Sequence, residues 1–405
     1  MSFPYTFPIS LADDIGHFID VPQNQSLRVL LWDSYSKNSL LDDFTDNFTG
    51  LNFSTALHGG FKQCSVLIPM PLERIWLYFE RDRLPGRHFA HLEVLEENKI
   101  VWEGRIMQVG FDPSGANLAL QLQAAGYWSS CRDQLYDSAD AGNTNWASGS
   151  HSVDDIIKEM LTNSCPDINS DQTNIDDPNL DVGGITLTDR DYPQNIIIDK
   201  LPMTSDGTDQ WHFAIWENRK AYLKQRVATT LHWTTFTSEL ASGSSISQSA
   251  FELRNSILPV KSGAEGTAAV DADRRATVPL REATLSIQAG VPTAAQNEER
   301  DRTLAERKRP MQSQQFHLSG RVWSTKNTGA FIGTPLWNVR AGELIRIADL
   351  VPYSVATPEL DRLRTFYINE TTYDAMTNTL RLVPDRPSLD LITILIRSIQ
   401  MEQQR

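Results

Sequence analysis

Two histidines have a spacing that is found in some metal sites. His88 and His91 form an HxxH pair at the start of segment 88–111, whose alternating apolar residues predict two strands. Side chains three positions apart on a strand point to opposite faces, so these two cannot hold one metal ion together. The spacing therefore indicates histidines at a surface or a sheet edge.

A second segment partly matches a calcium-binding loop. In "DINSDQTNIDDP", Asp167, Asn169 and Asp171 stand at alternate positions, as the first oxygen ligands of an EF-hand loop do. The sixth position is Gln172 where the loop needs glycine, and the twelfth is Pro178 where it needs a bidentate glutamate. We therefore predict no metal site, although the sequence leaves open whether an ion binds near Asp167–Asp171.

The residue patterns of common enzymes are missing. The chain contains no GxSxG, P-loop, GxGxxG or HExxH motif, and its carboxylates are too scattered to nominate an acid/base pair. Cys64, Cys131 and Cys165 are odd in number and have no CxxC spacing, which predicts buried thiols without a disulfide in a reducing compartment. We predict that the protein is not an enzyme and needs no cofactor.

Composition limits the class of protein. At 405 residues, the chain is expected to form two to four domains, and 40% hydrophobic with 22% charged residues is normal for a folded protein. A net charge of −14 argues against a dedicated binder of nucleic acid or anionic membranes, because phosphate neutralisation needs Lys and Arg. The longest apolar run, 389–399, is too short to span a bilayer.

The order of apolar patterns predicts a mainly β chain with an α/β insert, an α+β organisation. Alternating runs between about 27 and 122 and again after 230 predict antiparallel strands, and 3.6-residue spacing marks the helices. The sequence predicts four units: a first β domain at 1–135, an insert at 136–229, a second β domain at 230–387 and a C-terminal helix at 388–405. The insert is predicted to contain helices near 152–164 and 193–202 and a hairpin at 210–226, and the second β domain a charged helix near 293–309.

The insert hairpin "WHFAIWENRKAYLKQR" carries large apolar residues on both faces. Trp211, Phe213 and Ile215 share one face of the first strand, and Trp216 lies on the other, with Tyr222 on the returning strand. We therefore expect the hairpin to be covered twice, by the insert helices on one side and by a neighbouring domain on the other.

Two hairpins in the β regions share a plan. "IMQVGFDPSGANLALQL" (106–122) and "FYINETTYDAMTNTLRL" (366–382) each end a strand in an aromatic–Asp pair and then enter an alternating Leu strand. Either any two β-hairpins look like this, or the chain holds two copies of one β domain on either side of the insert.

The collinear set of segments resembles the baseplate-hub and tail-hub proteins of bacteriophages, a class shared with contractile injection systems. The segments that carry the resemblance are "WEGRIMQVGFDPSGANLALQLQAAGYWSSCRD", "SVDDIIKEMLTNSCPDI", "YPQNIIIDKLPMTSDGTDQWHFAIWENRKAYLKQR", "FELRNSILPVKS" and "TFYINETTYDAMTNTLRLVPDRPS". The resemblance implies two antiparallel, tail-tube-like β-barrels per chain. The sequence departs from the family in that we expect no peptidase, lysozyme or needle domain appended to the hub region.

The resemblance further implies a homotrimeric structural hub in the virion tail tip, made in the host cytoplasm. Three chains would present six barrels that join a six-fold tail tube to a three-fold tip. The expected partners are the tail tube or distal tail protein, the tape-measure protein and a central spike, fibre or tip protein, with genomic DNA only in transit and no direct membrane binding. The acidic charge fits a channel that should not retain DNA, or ordinary solubility.

The charged helix is the predicted subunit contact. Its mixed charges could set orientation at a rim through complementary pairs, or they could be solvated. The candidate interface residues are Glu298, Glu299, Arg300, Arg302, Arg307 and Arg309.

Two other functions remain open from sequence. A receptor- or carbohydrate-binding tail adhesin would need exposed aromatic platforms, for which Trp146 and Trp337 are the best candidates because both lie in loop-like segments. A hydrolase with dispersed catalytic residues is the third possibility.

Overall fold

The computed structural model describes residues 27–385 with gaps, of which the longest are 80–88, 112–117, 184–189, 236–243, 305–310 and 351–364. Strands dominate this part of the chain, so the prediction of a mainly β protein is confirmed. The described strand pairings do not close any sheet into a barrel, and barrel closure stays a prediction. The predicted C-terminal helix at 388–405 lies outside the described residues.

The first β region is formed by strands joined mostly through short turns. Its strands are β1 (Leu27–Trp32), β2 (Leu40–Asp43), β3 (Gly50–Ala56), β4 (Gly59–Pro69), β5 (His91–Glu96), β6 (Lys99–Phe111) and β7 (Ala119–Ala125). A helix that the sequence patterns did not predict, α1 (Leu72–Leu77), follows Pro71, and a 3₁₀ turn (Tyr127–Arg132) follows β7.

The insert contains the two predicted helices and the hairpin. Its strands are β8 (Ser150–Ser152), β9 (Asp181–Gly183), β10 (Thr204–Ser205), β11 (Asp209–Trp216) and β12 (Lys220–Gln225). Helix α2 (Val153–Ser164) buries the apolar stripe on which its prediction rests. Helix α3 starts at Pro193, as predicted, but only Pro193–Asn195 is α-helical and Ile196–Lys200 is a π turn.

The second β region is interrupted by a small separate sheet. Its strands are β13 (His232–Thr235), β14 (Ser245–Ser249), β15 (Ser256–Lys261), β16 (Ala264–Glu265), β17 (Ala269–Val270), β18 (Glu282–Ile287), β19 (Met311–Leu318), β20 (Val322–Ser324), β21 (Ile332–Thr334), β22 (Leu344–Ala348), β23 (Thr365–Asp374) and β24 (Thr379–Pro384). Strands β15 to β18 form the small sheet, next to helix α4 (Ala272–Arg275). The described residues between 293 and 304 are helical.

Two groups of five strands have the same order in the chain and in space. We call β3, β4, β5, β6 and β7 the first set, and β14, β19, β22, β23 and β24 the second set. Hydrogen bonds connect the first set in the order β5–β6–β7–β4–β3 and the second in the order β22–β23–β24–β19–β14, and every pair is antiparallel. The two hairpins with similar sequences are β6–β7 and β23–β24, which hold equivalent positions.

The two hairpins also share a local irregularity. The pairing of β6 with β7 shifts by one residue between Ile106 and Gln108, and that of β23 with β24 shifts between Ile368 and Glu370. In both, the bulge precedes the aromatic–Asp pair by the same number of residues. A β-bulge adds one unpaired residue and bends its strand, so the same bulge in both hairpins gives both sets the same local twist.

The insert hairpin is buried on both faces. Phe213 and Ile215 pack in the core of the insert with α2 and α3, whereas Ala214 and Trp216 pack in the main core of the two β regions. Tyr222 packs against that main core as well, and half-buried Trp211 packs against the insert core. The hairpin thus connects two cores, and β11 pairs in parallel with the start of β4 through Ala214 and Ile215.

All three cysteines are buried free thiols. Burial raises the pKa of the Cys64 thiol, and a hydrogen bond with Cys165 together with burial raises that of Cys131. No helix in the part of the chain that the structure describes combines the length and the hydropathy needed to span a bilayer.

Candidate assembly site

The two strand sets are joined edge to edge within the chain. Strand β3, the last of the first set, pairs with β23 of the second set, with Phe53 opposite Tyr373 and Thr55 opposite Thr371. The two threonine hydroxyls form a buried hydrogen bond of 2.6 Å, and the two aromatic rings lie 5.2 Å apart. Trp337 also packs against Tyr373, edge to face, with ring centroids 5.4 Å apart. This joint is ordered by backbone pairing and by side-chain packing together.

Strand β6, which corresponds to β23 in the first set, has an edge that is partly uncovered among the described residues. Strand β5 pairs with β6 as far as Arg105, and the backbone of Phe89 and Ala90 continues this pairing to Ile106. Strand β7 pairs with the opposite side of β6 from Arg105 to Phe111. The outer side of residues 107–111 pairs with no described strand, and Met107 there is 45% exposed. In β23, the equivalent edge is the one that β3 covers.

An exposed aromatic cluster lies beside this open edge. The rings of Trp76 and Phe79 lie 5.6 Å and 5.5 Å from that of Phe111, and 5.6 Å from each other. Trp76 is 52% exposed, and Leu72 and Leu77 of the same helix are exposed too. Exposed aromatic residues next to an unpaired strand mark a contact surface, because both an apolar patch and an open edge favour association.

The other open edge belongs to β14. Strand β14 pairs with β19 on one side, and no described strand pairs with its other side. In the second set it holds the position that β3 holds in the first. Among the described strands of the two sets, β6 and β14 are thus the ones with an uncovered edge, and they correspond to the two strands of the internal joint.

The charged segment contributes little that the structure describes. Arg300 donates hydrogen bonds to the backbone carbonyl of Thr267, 2.8 Å away, and to Asp301. The other five candidate interface residues, Glu298, Glu299, Arg302, Arg307 and Arg309, lie outside the described residues. Their role at a subunit contact stays a prediction.

Three polar side chains lie buried between the first set and the insert hairpin. His91 and Glu93 of β5 share a face with Glu103 of β6, which stands directly opposite Glu93. Burial lowers the pKa of His91 and raises the pKa of Glu103 to about 7. The prediction of a surface or edge histidine was therefore wrong for His91, since alternation along a strand does not tell which face is covered. His88 lies outside the described residues.

The carboxylates of the calcium-like segment are bound to basic side chains. Asp171 pairs with Lys220 at 2.5 Å, and Asp167 lies 3.4 Å from Arg105. Arg105 also pairs with Asp133. These pairs hold the 3₁₀ turn after β7 and the hairpin β11–β12 against the insert loop.

The two tryptophans proposed as sugar platforms are both buried. Trp146 packs in the insert core and donates a hydrogen bond of 2.8 Å from Nε1 to the hydroxyl of Tyr136. Trp337 packs in the main core against Tyr373. Neither ring offers a face to a ligand, so the residues nominated for an adhesin do not serve that function. The exposed aromatic residues include Trp76 and Phe79 instead, in the segment "PLERIWLYFE", whose density of aromatic residues was the available signal.

Comparison with known proteins finds likeness in structure only. No protein-family model matches the chain, and no curated protein matches its sequence. The 43 kDa tail protein of prophage MuSo2 from Shewanella oneidensis is similar over 90% of this chain and 97% of its own, with a TM-score of 0.59 and 9% identity. A tail protein from Neisseria meningitidis MC58 is similar over 89% of this chain and 96% of its own, with a TM-score of 0.58 and 12% identity.

A third solved structure extends the same likeness. The prophage tail protein gp18 from Listeria monocytogenes EGD-e is similar over 92% of this chain and 99% of its own, with a TM-score of 0.51 and 12% identity. These three neighbours are thus tail proteins, two of them from prophages, as the sequence resemblance predicted. At such low identities the likeness establishes a shared fold, which extends over most of each chain.

Proposed function

We propose that the chain is a structural subunit of a phage tail-tip hub, in which three copies form a ring of six strand sets. The observation that carries the proposal is the internal joint, where β3 of one set covers the outer edge of β23 in the other. A joint between two equivalent sets inside one chain can be repeated between chains. Such heterologous contacts form a closed ring when the rotation per contact closes.

The uncovered edges of β14 and β6 would form the same joint between neighbouring chains. Strand β14 corresponds to β3 and β6 corresponds to β23, so β14 of one copy would cover β6 of the next. The equivalence also fixes the register of the contact between copies. The internal pair Tyr373–Phe53 corresponds to Phe111 of one copy opposite Ile246 of the next, which places Gln108 opposite Ser249. Each chain would then make one internal and one external joint of the same kind, and three chains would present six sets to a six-fold tail tube.

The aromatic cluster fits this arrangement. It lies at the β6 edge, where a neighbouring copy would cover Trp76, Phe79 and Phe111 and remove their rings from water. Buried aromatic anchors at the centre of an interface commonly contribute most of its binding energy.

The surface that such a ring would present to DNA is polar and mostly uncharged. Gln108, Gln123, Ser65 and Asn52 stand opposite one another across four neighbouring strands, on the face away from the core. Amide and hydroxyl groups hold phosphates weakly compared with Lys and Arg, so DNA could pass without being retained. The remaining partners would be the tail tube or distal tail protein, the tape-measure protein and a central tip protein, and the role is structural rather than enzymatic.

Disulfide trapping tests the joint at residue level. The full-length double variant Gln108→Cys with Ser249→Cys places the two thiols opposite each other on neighbouring copies, where directly paired Cβ atoms lie about 4.5–5.5 Å apart. Mild oxidation should give a covalent trimer that dithiothreitol reverses. The native thiols are buried and should not interfere.

The matched control is Gln108→Cys with Ser245→Cys, whose positions are out of register by about 13 Å at 3.3 Å per residue. It should stay monomeric on a denaturing gel. Equal trapping by both variants would contradict the register, and a ladder that stops at a covalent dimer would contradict the ring.

A further inference from the structure

The three buried side chains under the insert hairpin converge on one point. The Nε2 atom of His91 lies 3.2 Å from Oε1 of Glu93 and 3.9 Å from Oε2 of Glu103. The three atoms all lie within 4.8 Å of one another, and the three residues are at most 2% exposed. Two ionised carboxylates directly opposite each other on paired strands repel, so a cation between them would stabilise the pair.

Each of the three side chains is held in place through its other polar atom. The hydroxyl of Tyr127 lies 2.6 Å from Nδ1 of His91, and Nε1 of Trp32 donates to Oε2 of Glu93 at 2.8 Å. The backbone N–H of Arg219 donates to Oε1 of Glu103 at 2.6 Å. Outer contacts of this kind orient the ligands of metal sites and direct their inner atoms toward the ion.

The inner nitrogen is left without a hydrogen bond. Although Nε2 of His91 is buried and faces both carboxylates, it makes no hydrogen bond of acceptable geometry with any residue that the structure describes. A buried polar atom without a partner is costly, and an imidazole nitrogen directed at two carboxylate oxygens is the donor set of a transition-metal ion.

We propose that His91, Glu93 and Glu103 bind one divalent transition-metal ion, for which Zn²⁺ is the best match. Nitrogen and oxygen ligands lie about 2.0–2.2 Å from zinc, which separates tetrahedral donors by about 3.3–3.6 Å. The separations of 3.2 Å and 3.9 Å lie on either side of that range and the third lies within 4.8 Å, so side-chain rotations that draw the two carboxylates together would complete the site. Water would supply the fourth ligand.

Lys37 marks the route of entry. Its ammonium group forms an ion pair with Oε1 of Glu93, and its side chain is 33% exposed. A lysine that reaches from the surface into the carboxylate pair can compensate for the charge when no metal is bound and swing into solvent when one binds. No metal site was predicted from the sequence because the ligands come from two strands of a hairpin, and the covering residues Trp32, Tyr127 and Arg219 come from three other parts of the fold.

The bound ion would act as a structural staple. Tyr127, which contacts His91, belongs to the turn after β7, and Arg219, which contacts Glu103, belongs to the insert hairpin. The metal ligands thus connect the first set to the insert. Binding to the folded state alone would stabilise this junction.

Zinc titration of the full-length chain tests the site. After removal of metals with a chelator, Zn²⁺ alone should bind with a stoichiometry of one per chain and raise the midpoint of thermal unfolding. The His91→Ala and Glu103→Gln variants should lose this binding, whereas His317→Ala, a histidine outside the cluster, should retain it. Trp32→Phe removes only an outer contact and should weaken binding by about 10–100-fold.

Two further measurements keep the test independent of variants that fail to fold. Co²⁺ bound to the wild-type chain should show the strong visible absorption of four-coordinate cobalt, and Zn²⁺ should displace it. Lys37→Met should bind Zn²⁺ at least as tightly as the wild type, since the competing cation is gone. Binding below one tenth of an equivalent, unchanged binding in His91→Ala, or a six-coordinate cobalt spectrum would each overturn the proposal.

Discussion

Replacing Gly60 by alanine should loosen the insert hairpin from strand β4. Gly60 has a φ of +79°, and a Cβ atom added there would lie 2.2 Å from the backbone oxygen of Ile215. The left-handed conformation costs a non-glycine residue roughly 1–2 kcal/mol, and forcing a backbone group aside costs about 1–3 kcal/mol more. Because Gly60 pairs with Ile215 at the parallel contact of β4 with β11, the cost should fall on this junction.

Hydrogen exchange followed by mass spectrometry measures the effect locally. A loss of about 3 kcal/mol should speed exchange of the amides of residues 211–225 by roughly a hundredfold, as each 1.4 kcal/mol is a factor of ten. The matched control is Gly263→Ala, which has the same φ of +79° but no atom within 4 Å of its Cβ. It should change exchange only near its own turn. Unchanged exchange of the hairpin in Gly60→Ala would refute the reasoning.

Three further predictions concern charge, assembly and thiols. Burial opposes ionisation of Glu343, but Lys326 and His232 hold the pKa of its carboxyl well below the usual range, so the stability that this carboxylate contributes should be present at neutral pH and lost on acidification. In urea titrations, Glu343→Gln should lower the free energy of unfolding at pH 7 by roughly 1–3 kcal/mol and make that free energy depend less on acidification. Trp76→Ser should reduce the trimer fraction in analytical ultracentrifugation without changing circular dichroism, whereas Leu135→Ser, which removes a side chain of 47% exposure elsewhere, should leave it unchanged. The three buried cysteines should react with Ellman's reagent only after denaturation.

Periodic patterns predicted the local elements well. Alternation predicted the hairpin β11–β12 and its two covered faces, and apolar residues at helical spacing predicted α2. The hairpins β6–β7 and β23–β24 could be matched because their aromatic–Asp pairs and Leu strands reflect the same turn and the same core face. These features depend on neighbours in sequence, which is why a pattern shows them.

Pairings between distant segments could not be predicted in this way. The β3–β23 joint connects residues more than 300 positions apart. The parallel contacts of β4 with β11 and of β13 with β22 have no local signature either. Helix α1 has only six residues and lies between strands, so it is too short for a helical periodicity to appear in the sequence.

The buried cluster was missed for a related reason. His91 and Glu93 are separated by one residue, but Glu103 reaches them only through strand pairing, and the outer partners Trp32, Tyr127 and Arg219 come from three other parts of the fold. A polar residue on an alternating strand looks solvent-facing until the element that covers it is known.

The most direct test of the proposed function is a single-particle reconstruction of the purified full-length chain, calculated without imposed symmetry. The proposal predicts three chains around one axis and six strand sets in a closed ring, with β14 of each copy paired to β6 of the next and Gln108 opposite Ser249. A monomer, a two-fold dimer, or a ring in which the β6 edge stays uncovered would contradict it.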